Sequence, residues 1–268
     1  MSQEPHDVWA REYDLVLERT FGPAYAAFTE LTLEIIQGRV PPPARVIDFG
    51  AGTGRLALPL ANAGYRVTAV DPSRPMLARL GEKEGLADEE RYLANKRGPG
   101  DGGRGCTAVP ACPVRRVVSR LEAYRGREDH DLALCVFSVI GYLLDEESLE
   151  AAARVMAASV REGGALLVDI PGPDVFEGFE VETDDVLRYV DLDRMEAQGP
   201  GEIYAYRERT AVRSRGRERH FEDAFRVRRW PREVVEAALT RVGFTLEEDL
   251  SERFADWGAG YLLLRRTA

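Results

Sequence analysis

The sequence predicts an α/β chain in which a doubly wound, mostly parallel sheet carries an inserted antiparallel sheet and is preceded by a helical cap. Three observations indicate this fold class. From residue 45 onward, short runs rich in β-branched residues alternate with segments long enough for a helix, as in parallel strands joined by helical crossovers. A glycine-rich turn follows the first run, and a long strand-like region lies between residues 180 and 229.

The helical cap comes first in the chain. Apolar residues recur at helical spacing between residues 6 and 38, and the tripeptide FGP at 21–23 interrupts them. The segment RVPPPA then separates this region from the first strand. Residues 1–40 are therefore predicted to form an N-terminal helical cap.

The α/β domain is predicted to comprise residues 41–175 and 230–268. Its strand-like runs are, in order, RVIDF, RVTAV, VRRVVS, LALCVFSV and ALLVDI, followed near the end of the chain by FTLEEDL and GYLLLRR. Helices are expected between these runs, at 54–63, 75–84, 146–161 and 231–241. Together the runs predict a sheet of seven strands.

Two segments interrupt this alternation. Residues 95–113 contain five glycines and three prolines and predict an exposed loop. The loop holds Cys106 and Cys112, but no second pair of ligands lies near them in the sequence, so we expect no metal site. Residues 176–229 contain the runs VLRYVDLDRM, EIYAYRERTAVRS and RERHFEDAFRVRRW, which predict three antiparallel strands inserted after the fifth strand.

Composition limits the classes of partner. The chain has 268 residues, of which 44% are hydrophobic, and a formal net charge of −10. That charge disfavours nucleic acid, because phosphates would be repelled at long range. No apolar run reaches membrane-spanning length, and three cysteines are too few for a disulfide framework. We expect a soluble cytoplasmic protein with reduced thiols and no membrane partner.

The glycine loop after the first strand is the most informative motif. Gly50, Gly52 and Gly54 lie where open parallel sheets bind their ligands. A dinucleotide fingerprint also requires glycine at the sixth position of the motif, and Arg55 stands there instead. The spacing therefore disfavours a nicotinamide cofactor, although a nicotinamide-dependent oxidoreductase stays as an alternative.

Two aspartates narrow the class of cofactor further. Asp48 precedes the loop inside the strand, where a carboxylate suits an ammonium group and would repel a pyrophosphate. Asp71 ends the second strand, where it can accept hydrogen bonds from the vicinal hydroxyls of a ribose. An adenosine cofactor with an ammonium group and no phosphate is S-adenosylmethionine. In these features the chain resembles the class I S-adenosylmethionine-dependent methyltransferases of the small-molecule type, which implies a Rossmann-like methyltransferase fold.

The resemblance also implies residues that contact the cofactor. Four residues of the glycine-loop region surround its methionine part, and three at the end of the second strand hold its ribose and adenine. Two after the fourth strand line the sulfonium side, and the N-terminal tyrosine closes over the cofactor. These residues are Tyr13, Asp48, Gly50, Ala51, Gly52, Asp71, Pro72, Met76, Phe137 and Ser138. The family commonly has an acid that binds the adenine amino group after the third strand, whereas this chain has Arg120. Leu121 and Glu122, which follow it, are assigned to the adenine instead.

The resemblance implies transfer of a methyl group to nitrogen or oxygen of a small-molecule acceptor by in-line displacement, with S-adenosylhomocysteine as the product. The inserted sheet and the N-terminal helices would form a lid over the acceptor. His220 is the candidate general base, because histidine titrates near neutrality. A protein that binds S-adenosylmethionine without methyl transfer stays as a further alternative, and the sequence leaves the oligomeric state open.

Overall fold

The computed structural model describes residues 3–96, 113–126, 129–214 and 216–267. Its strands are, in chain order, β1 (Arg45–Phe49), β2 (Arg66–Asp71), β3 (Arg115–Val118), β4 (His130–Cys135), β5 (Val160–Pro171), β6 (Phe179–Glu182), β7 (Val186–Met195), β8 (Glu202–Ser214), β9 (Arg217–Arg229), β10 (Phe244–Asp249) and β11 (Ala259–Arg266). Its α-helices are α1 (Tyr13–Phe21), α2 (Pro23–Arg39), α3 (Ala57–Asn62), α4 (Arg74–Lys96), α5 (Glu146–Ser159) and α6 (Arg232–Arg241).

Seven strands form the central sheet, in the order β10-β11-β5-β4-β1-β2-β3. Strands β1 to β5 are parallel to one another, whereas β11 runs antiparallel to both β5 and β10. The predicted α/β fold with a seven-stranded, mostly parallel sheet is confirmed. Strand order reverses beside β1, which has β2 on one side and β4 on the other, and such a reversal opens a crevice at the carboxyl ends of the strands.

The central sheet is buried on both faces. Successive residues of a strand point to opposite faces, and in β1 Val46 packs in one apolar layer while Ile47 packs in the other. The first layer includes buried residues of α2 and α3, and the second includes buried residues of α5 and α6. This double cover explains why the strands are nearly continuous hydrophobic runs.

Strands β6 to β9 form a second, antiparallel sheet. One of its faces packs against the N-terminal region through Trp9, Val16, Val186 and Val212. An ion pair is buried on this side, where Arg188 Nε donates to a Glu208 carboxylate oxygen 2.9 Å away. Hydroxyl groups of Thr210 and Tyr206 also donate to this carboxylate, so its charge is well compensated.

The structure differs from the sequence-based expectations in several bounds. Strand β6 was not expected, because its four residues are too few to show alternation. Helix α3 starts only at Ala57, since residues 52–56 form turns and Gly54 has a left-handed φ of 87°. Helix α4 continues to Lys96, well beyond the expected end at residue 84. Most of the predicted loop 95–113, including Cys106 and Cys112, lies outside the described residues.

Two further observations concern the cysteines and the helices. Cys135 ends β4 and is a buried free thiol. None of the helices within the described ranges is both long and apolar enough to cross a membrane.

Candidate functional site

A cavity of about 340 Å³ opens at the carboxyl ends of β1, β2 and β4, within the size range of small-molecule sites. The glycine loop forms its floor, and residues 3–6 lie on its wall together with Phe225 and Arg226 of β9. The cavity is lined by the following residues that the sequence predicted as cofactor contacts: Tyr13, Asp48, Gly50, Ala51, Gly52, Asp71, Pro72, Met76, Leu121, Glu122 and Phe137. The structure thus brings together every one of the predicted contacts except Ser138.

Two features of the glycine loop require a glycine at position 50. Its φ of 74° lies in the left-handed region, and a Cβ atom on this residue would collide with the side chain of Val139. Gly52 also has a left-handed φ, of 52°, but open space surrounds the position of its missing Cβ. The loop is tied to the sheet because the N–H groups of Gly50 and Ala51 donate to the Val70 carbonyl.

Asp71 lies at the end of β2 with its carboxylate partly engaged. One carboxylate oxygen accepts the Gly52 N–H at 2.9 Å, and the other accepts the Ser73 N–H at 2.8 Å. Burial raises the pKa of Asp71 to about 6, while these two hydrogen bonds oppose the rise. Each carboxylate oxygen keeps a free lone pair for a hydroxyl of a ligand.

Asp48 is a buried carboxyl group with no hydrogen-bond donor among the described residues. Its side chain lines the cavity and is only 4% exposed. Burial, and then the charge of nearby Asp71, raise the pKa of Asp48 to about 8. A cationic group in the cavity would remove this penalty on ionisation, so the site suits an ammonium group.

Phe137 and Ser138, directly after β4, both have left-handed backbones, with φ values of 67° and 65°. The Ser138 N–H donates to both carboxylate oxygens of Asp169, at 3.1 and 2.9 Å, which holds the turn. Burial raises the pKa of Asp169 to about 7. Phe137 lines the cavity, whereas Ser138 is not among the residues that line it. The predicted contact of Ser138 with the cofactor therefore gains no support from the cavity lining.

Arg120, the residue in place of the usual adenine-binding acid, has a partner elsewhere in the chain. Its guanidinium pairs with the Glu4 carboxylate at 2.7 Å, which ties the N-terminal segment, residues 3–9, to the rim of the cavity. Leu121 is buried and Glu122 is half-buried, and both line the cavity beside it. Glu122 therefore places a hydrogen-bond acceptor on the cavity.

His6, rather than His220, is the histidine that lines the cavity. Its φ is 67°, its backbone N–H donates to the Asp223 carboxylate at 2.6 Å, and its ring Nε2 lies 2.9 Å from the Tyr142 hydroxyl. Burial lowers the pKa of His6 to about 4, so its imidazole is neutral near pH 7.

The structure places His220 away from the cavity and so gives no support to its prediction as the general base. Its side chain is 71% exposed, and its Nε2 lies 2.9 Å from a Glu218 carboxylate oxygen. On β9 it lies five residues from Phe225, a strand distance of roughly 17 Å.

Sequence reasoning also missed Tyr25 and Arg55 as cavity residues. Arg55 had served only to exclude a dinucleotide spacing, and the N-terminal histidine and Tyr25 belong to no recognised motif. Arg55 directly follows the glycine loop in the sequence, whereas only the three-dimensional fold brings His6 and Tyr25 to it.

Comparison with known proteins places this geometry in a family. The model of a methyltransferase domain matches residues 23–249. An uncharacterized methyltransferase of Staphylococcus carnosus is 33% identical over 81 residues, which cover 29% of this chain and only 38% of that protein.

Two solved structures share the fold across almost the whole chain. An S-adenosylmethionine-dependent methyltransferase from Clostridium acetobutylicum has a TM-score of 0.72 at 15% identity, with 96% of this chain and 99% of that chain covered. The sugar N-methyltransferase KedS8 from Streptoalloteichus has a TM-score of 0.66 at 23% identity, with coverage of 96% and 93%. Because the family model spans most of the sequence, the chain belongs to the methyltransferase-domain family, as the sequence predicted.

Proposed function

We propose that this enzyme transfers a methyl group from S-adenosylmethionine to nitrogen or oxygen of a small-molecule acceptor. The observation that carries the proposal is the pair of buried carboxyl groups, Asp48 and Asp71, on one cavity beside the glycine loop. When bound, the sulfonium cofactor supplies an electrophilic methyl group and leaves as a neutral thioether. The family gives no support to the nicotinamide alternative.

The residues fit this cofactor by their chemistry. Asp48 lacks a donor among the described residues and suits the ammonium group, while Asp71 keeps lone pairs for the ribose hydroxyls. Glu122 can accept from the adenine amino group, and Gly52 leaves room where any other residue would place a Cβ atom. No pyrophosphate partner is needed, and two buried carboxylates would repel one.

The acceptor is expected at the other end of the cavity, where His6, Tyr142 and Phe225 form an aromatic wall. The Tyr142 and Phe225 rings lie 5.7 Å apart, and the His6 ring lies 5.1 Å from Phe225. Neutral His6 can accept a hydrogen bond from the Tyr142 hydroxyl and so orient it towards an acceptor N–H or O–H. With a pKa of about 4, His6 is a weak proton acceptor and serves to orient the Tyr142 hydroxyl, so the acceptor's proton leaves to solvent only after the transfer, when the lid opens.

The surroundings of the aromatic wall also support the proposal that the acceptor is a small molecule. The N-terminal segment and β9 cover the cavity, and the relative KedS8 is a sugar N-methyltransferase. We therefore infer that the N-terminal segment and the second sheet act as a lid that excludes water while the acceptor aligns behind the methyl group.

The proposal is tested by isothermal titration calorimetry with S-adenosylhomocysteine. The intact protein should bind it with a Kd on the order of micromolar, and Asp71→Ala should weaken binding at least tenfold. Asp191→Asn, an exposed change on β7, is the matched control and should bind as the unmodified protein does. Absence of binding to the intact protein would refute the proposed cofactor.

A panel of amines and phenols, assayed for methylation by mass spectrometry, would then separate an enzyme from a protein that only binds the cofactor.

A further inference from the structure

Arg55 presents a fixed guanidinium at the cavity. The group lies between two aromatic rings, 3.6 Å from the Tyr25 centroid and 3.8 Å from the Phe137 centroid. Its Nε donates to the Thr29 hydroxyl and its Nη2 to the Tyr25 carbonyl, each at 2.7 Å. Stacking on two faces and two hydrogen bonds hold the plane of the guanidinium in place.

The two acceptors of Arg55 are neutral, so no hydrogen bond from the described residues compensates its charge. No carboxylate in the described ranges forms an ion pair with it, and no described residue accepts from its Nη1. Burial lowers the pKa of Arg55 in the absence of such a partner. A partly buried cation without an anion is costly, and this one borders a ligand cavity.

Asp48 is the opposite case on the same cavity, a buried carboxyl group that has no donor among the described residues and whose ionisation needs a cation beside it. The glycine loop separates the two residues. A zwitterionic ligand end, with its ammonium group at Asp48 and its carboxylate at Arg55, would compensate both charges at once.

We propose that Arg55 binds the carboxylate of the amino-acid end of S-adenosylmethionine. This inference rests on the proposed function and deepens it, because it names the residue that distinguishes the cofactor from an adenosine thioether without that carboxylate. Arg55 is thereby assigned a role in binding, in addition to being the residue that disfavours a dinucleotide motif. Phe137 contributes as a positioning residue, because its left-handed turn, bound through Ser138 to Asp169, sets its ring against the guanidinium.

The rival explanation is that Arg55 binds a carboxylate of the acceptor. Arg55 lies beside Tyr25 and the glycine loop, whereas the aromatic wall of His6, Tyr142 and Phe225 is built from other parts of the chain. An anionic acceptor at Arg55 would also leave the cofactor's own carboxylate without a cation at this end of the cavity. We therefore favour the cofactor.

The test compares two ligands that differ only in the carboxylate, S-adenosylmethionine and decarboxylated S-adenosylmethionine. Both are titrated by calorimetry into the unmodified protein, Arg55→Gln and Arg55→Lys. Loss of one charge-assisted hydrogen-bonded contact weakens binding about 10- to 100-fold, so Arg55→Gln should lose this factor for S-adenosylmethionine and less than about twofold for the decarboxylated ligand. Arg55→Lys should recover part of the loss, since it keeps the charge without the planar fork.

Arg213→Gln is the control, because Arg213 is an exposed arginine of β8 paired with Glu218. Equal weakening of both ligands by Arg55→Gln would show a purely structural role, and no weakening of either would assign Arg55 to another ligand. Either result overturns the inference while the proposed function stands. Failure of the unmodified protein to bind either ligand would instead refute the proposed function.

Discussion

Replacing Asp48 with asparagine tests whether this buried carboxyl group lowers the stability of the folded protein while it serves to bind the ligand. The side chain keeps its shape but loses its ionisable group. In the folded protein, burial and then the charge of Asp71 raise the pKa of Asp48 from 3.8 to about 8. The folded state therefore binds one more proton than the unfolded chain between these two values, and the stability of the unmodified protein falls as pH rises.

The size of this effect follows from the linkage relation. A carboxyl group in that window contributes a loss of about 1.4 kcal/mol for each pH unit. The free energy of unfolding of Asp48→Asn, relative to the unmodified protein, should therefore increase by about 2.7 kcal/mol between about pH 5.5 and pH 7.5. Because Asp71 is present in both proteins, its own titration largely cancels in the difference.

The assay is urea unfolding followed by tryptophan fluorescence at three pH values, with Asp191→Asn as the exposed control. The control should show a difference that does not vary with pH. Calorimetry at the highest pH should show that Asp48→Asn binds S-adenosylmethionine about tenfold or more weakly, since a neutral amide replaces a carboxylate partner. A stability difference that stays constant across the window would refute the reasoning on Asp48.

Four further substitutions test other positions in the molecule. Gly50→Ala should destabilise the fold by about 1–3 kcal/mol in urea unfolding, because its Cβ atom meets Val139 at a left-handed φ. Gly52→Ala, which has space for its Cβ atom, should lose less stability while still weakening cofactor binding in calorimetry. Arg188→Met should cost about 3–5 kcal/mol of stability, as it leaves a buried carboxylate without its cation, and a loss under 1 kcal/mol would contradict this account. His220→Ala should leave cofactor affinity unchanged within error, and a clear loss would restore it as a site residue.

Most of the fold could be predicted from the sequence because its signals are local. The runs at 186–195 and 202–214 match β7 and β8 in both bounds, since long alternating strands are closed by clear turn residues. Strand β6 has only four residues and no such pattern. Helix α4 continues beyond the expected end because charged and alanine-rich residues favour helix without an apolar period.

The same distinction applies to the site residues, some of which are identified by local sequence motifs and others only by contacts between remote parts of the chain. Asp48 and Asp71 could be assigned because each has a fixed offset from the glycine loop or from a strand end. His6 could not, because its place depends on Asp223 and Tyr142, which are remote in sequence. His220 was chosen for its chemistry alone, and no sequence rule shows how far along a long strand a side chain lies from the cavity.

The hydrogen bond between His6 and Asp223 has a consequence for how the protein is made. It joins residues 217 positions apart, and Phe225 completes the same wall. During synthesis, the parallel strands around the glycine loop emerge long before β9. The residues of the cofactor end, as far as Phe137, are therefore synthesised before Phe225, and the acceptor end is completed only when the last fifth of the chain emerges.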